Sequence, residues 1–208
     1  GDSGSNPATN FLGTTDAQPL VLRTQGVRSL RIEPSAELFA GSPITANIIA
    51  GSFVNGVSSG VRGATIAGGG YEFAAAPGSQ RNHVTDHYGS IGGGYANMVG
   101  NDAAPADDAT TATVGGGRSN GATARDATVA GGSDNYATQG SSAVGGGAGN
   151  TASGYLSVVA GGYLNCAGGS ASSAGGYRAK VRQGSLSGAV GAGCSGVATT
   201  GTERGDQG

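Results

Sequence analysis

Between Val114 and Val159 the sequence repeats itself every fifteen residues. Each unit opens on an apolar or small anchor followed two positions later by glycine. The anchors run Ile49, Ile66, Ile91, Val114, Val129, Val144 and Val159, then, in degenerate form, Ser173 and Leu186. Six residues after the anchor an asparagine returns, at Asn55, Asn97, Asn120, Asn135, Asn150 and Asn165, and two beyond it a small residue, at Ala122, Ala137, Ala152 and Ala167. A fixed period of this kind marks a chain wound into stacked, similar units. Around the anchors the same-face residues alternate with period two, as in Ala112, Val114, Gly116 and Ala127, Val129, Gly131, which is the behaviour of a strand. The glycines that follow allow positive φ and a sharp turn. Asparagine tolerates the left-handed region and bonds neighbouring backbone, so asparagines stacked at one position of successive coils form a ladder. A second short strand then carries the alanine inward. Two strands and two turns make a coil that advances about 4.8 Å as parallel strands pair. The expectation is an all-β, parallel β-solenoid with coils of about fifteen residues, its nine anchors giving a rod on the order of 40 Å long.

Composition agrees with this and removes the competitors. Glycine supplies 44 of 208 residues, against about 7% in ordinary soluble chains, and each glycine in a helix interior costs about 1 kcal/mol relative to alanine. The glycines follow no three-residue period and only 6 prolines accompany them, which excludes collagen. Disorder is the compositional rival, and the periodicity argues against it. With no Trp, 4 Phe, 7 Tyr and 1 Met, the interior has to be thin. One valine or isoleucine with alanines and glycines buries little apolar surface per coil for the backbone that must be ordered. Lateral association of several solenoids supplies the missing burial, and closed cyclic symmetry is the usual form it takes. Tyr136, Tyr155, Leu156, Tyr163 and Leu164 are the candidates to pack between chains.

A formal net charge of −2 gives no field for nucleic acid or for an anionic membrane surface. No apolar run approaches the roughly 20 residues that a membrane span needs, so direct membrane insertion is not expected. The sequence opens at Gly1 without a basic and apolar leader, which reads either as a processed chain or as a fragment. Cys166 and Cys194 fall about two coils apart in the repeat register, on the order of 10 Å, too far for a disulfide unless the chain end folds back. Two small buried thiols are the expectation.

Candidate chemistry is sparse. The runs Gly68-Gly69-Gly70 and Gly92-Gly93-Gly94 lack the Lys-Ser/Thr and the helix start of a phosphate loop and read as turns. His83, Asp86 and His87, expected in a long loop between the anchors Ile66 and Ile91, are the best candidates for a metal site, and the reading preferred over it is an ordered loop. Asp102, Asp107 and Asp108 lie in a second excursion, Gly100 to Thr113, without the alternation of a calcium loop, and read as solvated. No Ser-His-Asp or paired-carboxylate spacing is present. The expectation is therefore no enzymatic activity, no cofactor and no resident metal. A row of threonines before the anchors, at Thr65, Thr113 and Thr128, raises an ice-binding face, but Ser90, Ala143 and Val158 interrupt it.

The repeated S/T-x-V-x-G-G register, its asparagine and small residue, and the stretch Ser172-Ser173-Ala174-Gly175-Gly176-Tyr177-Arg178-Ala179-Lys180 resemble the YadA-like head domain of trimeric autotransporter adhesins over roughly residues 47 to 190. The resemblance implies a left-handed β-roll, three parallel chains about a threefold axis, and an extracellular or cell-surface location. Upstream, Asn10-Phe11-Leu12-Gly13-Thr14-Thr15-Asp16-Ala17-Gln18-Pro19-Leu20 and the alternating residues through Pro34 are similar to a segment that precedes repeats in bacterial and phage tail-fibre-like proteins. Read physically, that stretch is a β-hairpin turning at Thr24-Gln25-Gly26, able to start or cap the solenoid. The chain thus divides into 1–40, a hairpin and capping segment; 41–192, the β-roll with long loops near 70–90 and 100–113; and 193–208, a tail or connector. The function expected is a non-enzymatic adhesive or structural module of a trimeric fibre, making multivalent contacts with host or matrix protein, glycan or sister cells. The alternative is the shaft or receptor-binding part of a phage or injection-device tail fibre.

Overall fold

The computed structural model describes residues 11–35, 38–39, 42–43, 45–73 and 76–181. Within them the chain is all strand and turn, wound into a parallel β-solenoid of eight coils. Each coil gives one short strand to each of two sheets. Sheet one stacks the strands Ala46–Ala50, Thr65–Ile66, Ser90–Ile91, Thr113–Val114, Thr128–Val129, Ala143–Val144, Val158–Tyr163 and Ser173–Tyr177 in parallel. Sheet two stacks Gly56–Val57, His83–Val84, Met98–Val99, Gly121–Ala122, Tyr136–Ala137, Thr151–Ala152, Cys166–Ala167 and Lys180–Val181.

The core lies between them and is two side chains thick. Sheet one contributes a file of Ile49, Ile66, Ile91, Val114, Val129, Val144, Val159 and Ala174, paired coil on coil and all buried. The facing file on sheet two is Val57, Val84, Val99, Ala122, Ala137, Ala152, Ala167 and Val181. Volumes compensate across the gap, as close packing requires. Where sheet two carries Val84 and Val99, the residue two before the anchor is Gly89, and a Cβ there would come within 2.6 Å of both valines. Where sheet two carries Ala122 and Ala137, that position is Ala112 and Ala127. The eighth anchor is Ala174 and not Ser173, which faces outward beside it; small residues on both sides of that position leave the sequence register ambiguous by one. Leu186 lies outside the described residues.

Hydrogen-bond direction fixes the winding. Strand N–H groups donate to the following coil, as Thr113 does to Ala127 O and Gly121 to Asn135 O. At the two corners the backbone reverses that sense. Ser119, Asp134, Leu164 and Arg178 at one corner, and Thr111, Asp126, Ser141 and Leu156 at the other, all have positive φ between 54° and 63° and donate to the preceding coil, as Ser119 does to Tyr95 O and Leu156 to Gly140 O. These non-glycine residues carry the cost of the left-handed region, so the corners are where the coil is held under strain.

Residues Leu20–Thr24 and Val27–Pro34 pair antiparallel, turning through Gln25 and Gly26 at φ 51° and 77°. Positive φ at both central residues gives the twist that a tight two-residue connection needs. Val27–Pro34 then pairs antiparallel with Ala46–Ala50, so these strands extend sheet one past the first coil. The carbonyls of that coil point toward this end and would lack donors. Arg28, a side chain with donors only, directs Nη2 at Phe53 O and Asn55 O, each at 2.7 Å.

The first insertion is placed differently from the sequence reading, and the second falls where it is expected. The expected loop near 70–90 is shorter, because Asn82 and Val84 already occupy coil positions; the extra residues lie before Asn82 and include the antiparallel pair Tyr71–Phe73 and Ala76–Gln80. The second insertion lies between Val99 and Ala112 and is tied down by side chains of the coil beneath it. Residues 193–208 lie outside those described.

Candidate interaction surfaces

The buried polar side chains are spent on backbone. Asn55, Asn82, Asn97, Asn120, Asn135, Asn150 and Asn165 form one file, each no more than 2% exposed. Each Oδ1 accepts the backbone N–H of the next member at 2.9–3.1 Å, from Asn82 on Asn55 through Asn165 on Asn150, and Ala179 N–H closes the series on Asn165. Each Nδ2 from Asn97 onward donates to a glycine carbonyl of its own coil and one of the next, as Asn135 does to Gly131 O and Gly147 O at 2.9 Å each. The ladder therefore runs mainly through side chain to backbone. Asn82 was not legible in the sequence, since the insertion moves it ten residues away from its expected spacing after Ile66.

His83, Asp86 and His87 do not converge. His83 stands on the outer face of sheet two, in register with Gly56 and Met98, its ring nitrogens against Ser58 Oγ and Arg81 Nη2 at 3.2 Å each. A strand position, and not the expected loop, follows from Val84 filling the core file. His87 lies at the return corner, where Nδ1 accepts from Arg62 N–H at 3.3 Å. Burial, and then the neighbouring Arg81 and Arg62 respectively, push both imidazoles below the ordinary histidine range. Asp86 is fully buried and serves the second insertion: it accepts from Thr85 Oγ1, Asn101 N–H and Ala109 N–H at 3.0, 3.0 and 3.3 Å. Asp102 hangs from Thr85 Oγ1 through its own N–H, and Asp108 accepts from Asn101 Nδ2. Among the described residues no group of three or more His, Cys, Asp or Glu is placed to hold a metal ion, and no helix is long and apolar enough to cross a membrane.

Cys166 is disulfide-bonded, which corrects the expectation of a free buried thiol. Cys194 lies outside the described residues.

What the coil presents outward is the informative part. Tyr136, Tyr155, Leu156 and Tyr163 are 41–57% exposed. Several of the large outward side chains lean on a glycine of the preceding coil. A Cβ on Gly121 would come 2.8 Å from Tyr136, on Gly140 3.3 Å from Tyr155, on Gly149 2.6 Å from Leu164 and on Gly63 2.5 Å from Tyr88. The aromatic rings thus already cover backbone within the chain. Tyr163 stacks on Tyr177 with centroids 5.8 Å apart, and the Arg178 guanidinium lies 5.6 Å from the Tyr177 centroid. Arg118, at the same corner, bonds Tyr95 and faces Asp134 at 3.4 Å, and the Tyr95 bond raises its pKa.

No family model, no curated protein and no solved structure matches this chain.

Proposed function

We propose that this chain is a non-enzymatic structural or adhesive module of an extracellular trimeric fibre, similar to a YadA-like head: three parallel left-handed rolls about one axis, capped at one end by the strand pair at 20–34. One observation carries the reading. Among the described residues, sixteen large apolar side chains are exposed, from Phe11 to Tyr177, while the core buries eleven valines and isoleucines and no leucine, methionine or aromatic residue. A two-layer stack with that ratio gains its missing burial from other copies of itself.

The buried polar groups support a structural role over a catalytic one. The asparagine file and Asp86 are occupied with backbone N–H and C=O groups, which leaves them no part in turnover. A repetitive side suits many weak contacts in parallel with matrix protein, glycan or a neighbouring cell surface. The tail-fibre alternative keeps one specific support, the tail-fibre-like segment at 10–34, whose strands continue sheet one.

Sedimentation equilibrium on the full chain tests the association. The expected mass is three times 19.8 kDa. A stable folded monomer at micromolar concentration overturns the reading, and release of sugar from a glycan by the purified protein overturns its non-enzymatic part.

A further inference from the structure

We infer that the outer face of sheet one is the surface on which copies of this chain meet. The inference rests on the proposal that copies associate side by side, and it assigns the face.

Two outward files make up this surface. One is Ile48, Thr65, Ser90, Thr113, Thr128, Ala143, Val158 and Ser173, which stand in parallel register. The other, two residues further on, is Ala50, Ala67, Gly92, Gly115, Ala130, Gly145, Ala160 and Gly175, and from Ala67 onward every member is exposed. The chain has 24 charged residues, 11 basic and 13 acidic, yet none falls in either file. The other sides do carry charge: Lys180 stands on the outer file of sheet two, which also holds the polar His83, while Arg62, Arg125 and Asp126 lie at one corner and Arg118, Asp134 and Arg178 at the other. Burying an unpaired charge is costly, so sheet one is the side that can be covered along its length without stranding one. Both insertions leave from the turns between sheets and do not interrupt it.

Three observations select another copy as the occupant. The face repeats once per coil, about every 4.8 Å, and a second solenoid of the same rise meets it in step over all eight coils. The alanine and glycine file lets two sheets approach closely, as in packed small-residue sheets. Four of the sixteen exposed apolar groups lie on one coil: Tyr155 and Leu156 at one corner, Val158 on the face and Tyr163 at the other corner are 57, 48, 41 and 46% exposed. That belt runs from corner to corner across the seventh coil and forms the centre of the contact. Eight coils rising about 4.8 Å each make a face on the order of 40 Å long, and a closed ring of three gives each chain two contacts along such a length.

The test compares Val158→Arg and Tyr136→Arg, both outward and about equally exposed, on sheets one and two respectively. Sedimentation of each full-length variant is measured alongside circular dichroism. The inference expects Val158→Arg to raise the concentration for half-dissociation at least tenfold with the β spectrum retained, and Tyr136→Arg to leave it within threefold of the parent. The opposite pattern overturns the assignment of the face while leaving association intact; a parent chain that is monomeric overturns both. Should Val158→Arg fail to fold, Thr128→Cys serves instead. A short bismaleimide is expected to join its copies into covalent species larger than one chain, and cross-linking no greater than that of Thr138→Cys on the other side contradicts the inference.

Discussion

Val144→Asp is expected to abolish cooperative folding. Val144 is 1% exposed and sits between Val129 and Val159 in the anchor file, with Ala137 and Ala152 in the facing file. The core there is one valine and one alanine deep, so a carboxylate has no second layer in which to find a partner. A charge buried without a hydrogen-bonding partner costs several kcal/mol, comparable with much of the stability of a whole domain. Coils on both sides depend on the fifth and sixth for their hydrogen bonds, and in a stacked array loss of one interface propagates to its neighbours. Circular dichroism and thermal melting of the variant should show loss of the β spectrum or a melting temperature lowered by at least about 15 °C. An unchanged melt would mean that the side chain does not lie inside the stack.

Asn135→Ala is expected to come second in effect. The single side chain accepts Asn150 N–H and donates to Gly131 O and Gly147 O. Truncation leaves the buried Asn150 N–H and Gly131 O without partners, each costing about 1–3 kcal/mol, while Gly147 O keeps the Ser133 N–H. It also leaves a cavity beside glycines that have no side chain to fill it. The expected loss is about 3–6 kcal/mol, read as an unfolding midpoint shifted to lower urea. Gln139→Ala is the control, because that exposed corner side chain has no part in the ladder; a shift of similar size there would remove the special role of the asparagine.

Much of this architecture is written in the repeat. The anchors at Ile49, Ile66, Ile91 and Val114 to Val159, and the alanines at 122, 137, 152 and 167, specify two strands per coil, and the structure is the parallel β-solenoid that the period implies. Where residues enter or leave the repeat, legibility fails for identifiable reasons. The hairpin inserted before Asn82 hides that residue's place in the ladder, and with it the position of His83 on a strand. At Ser173 and Ala174 two small residues compete for one inward position, and the choice is settled by pairing with Val159, a contact remote in sequence. The reversed hydrogen bonds at the corners leave no composition signal, since Ser119, Asp126, Leu156 and Arg178 share a backbone conformation and nothing in side-chain type. The surfaces were less legible than the core. Tyr136, Tyr155 and Leu164 read as outward apolar groups, and that each also leans on a glycine one coil away shows only when the coils are stacked. The uncharged face of sheet one emerges only when the sequence is laid out coil by coil.

Hydrogen exchange resolved by residue examines the stacked winding most directly. The amides of Asn82, Asn97, Asn120, Asn135, Asn150 and Asn165 each donate to the carboxamide of the asparagine one coil before, and all six are buried. They should exchange together and slowest in the chain, at least about a thousandfold slower than the exposed turn at Gly26. Exchange of those six amides at the rate of that turn would contradict the stack.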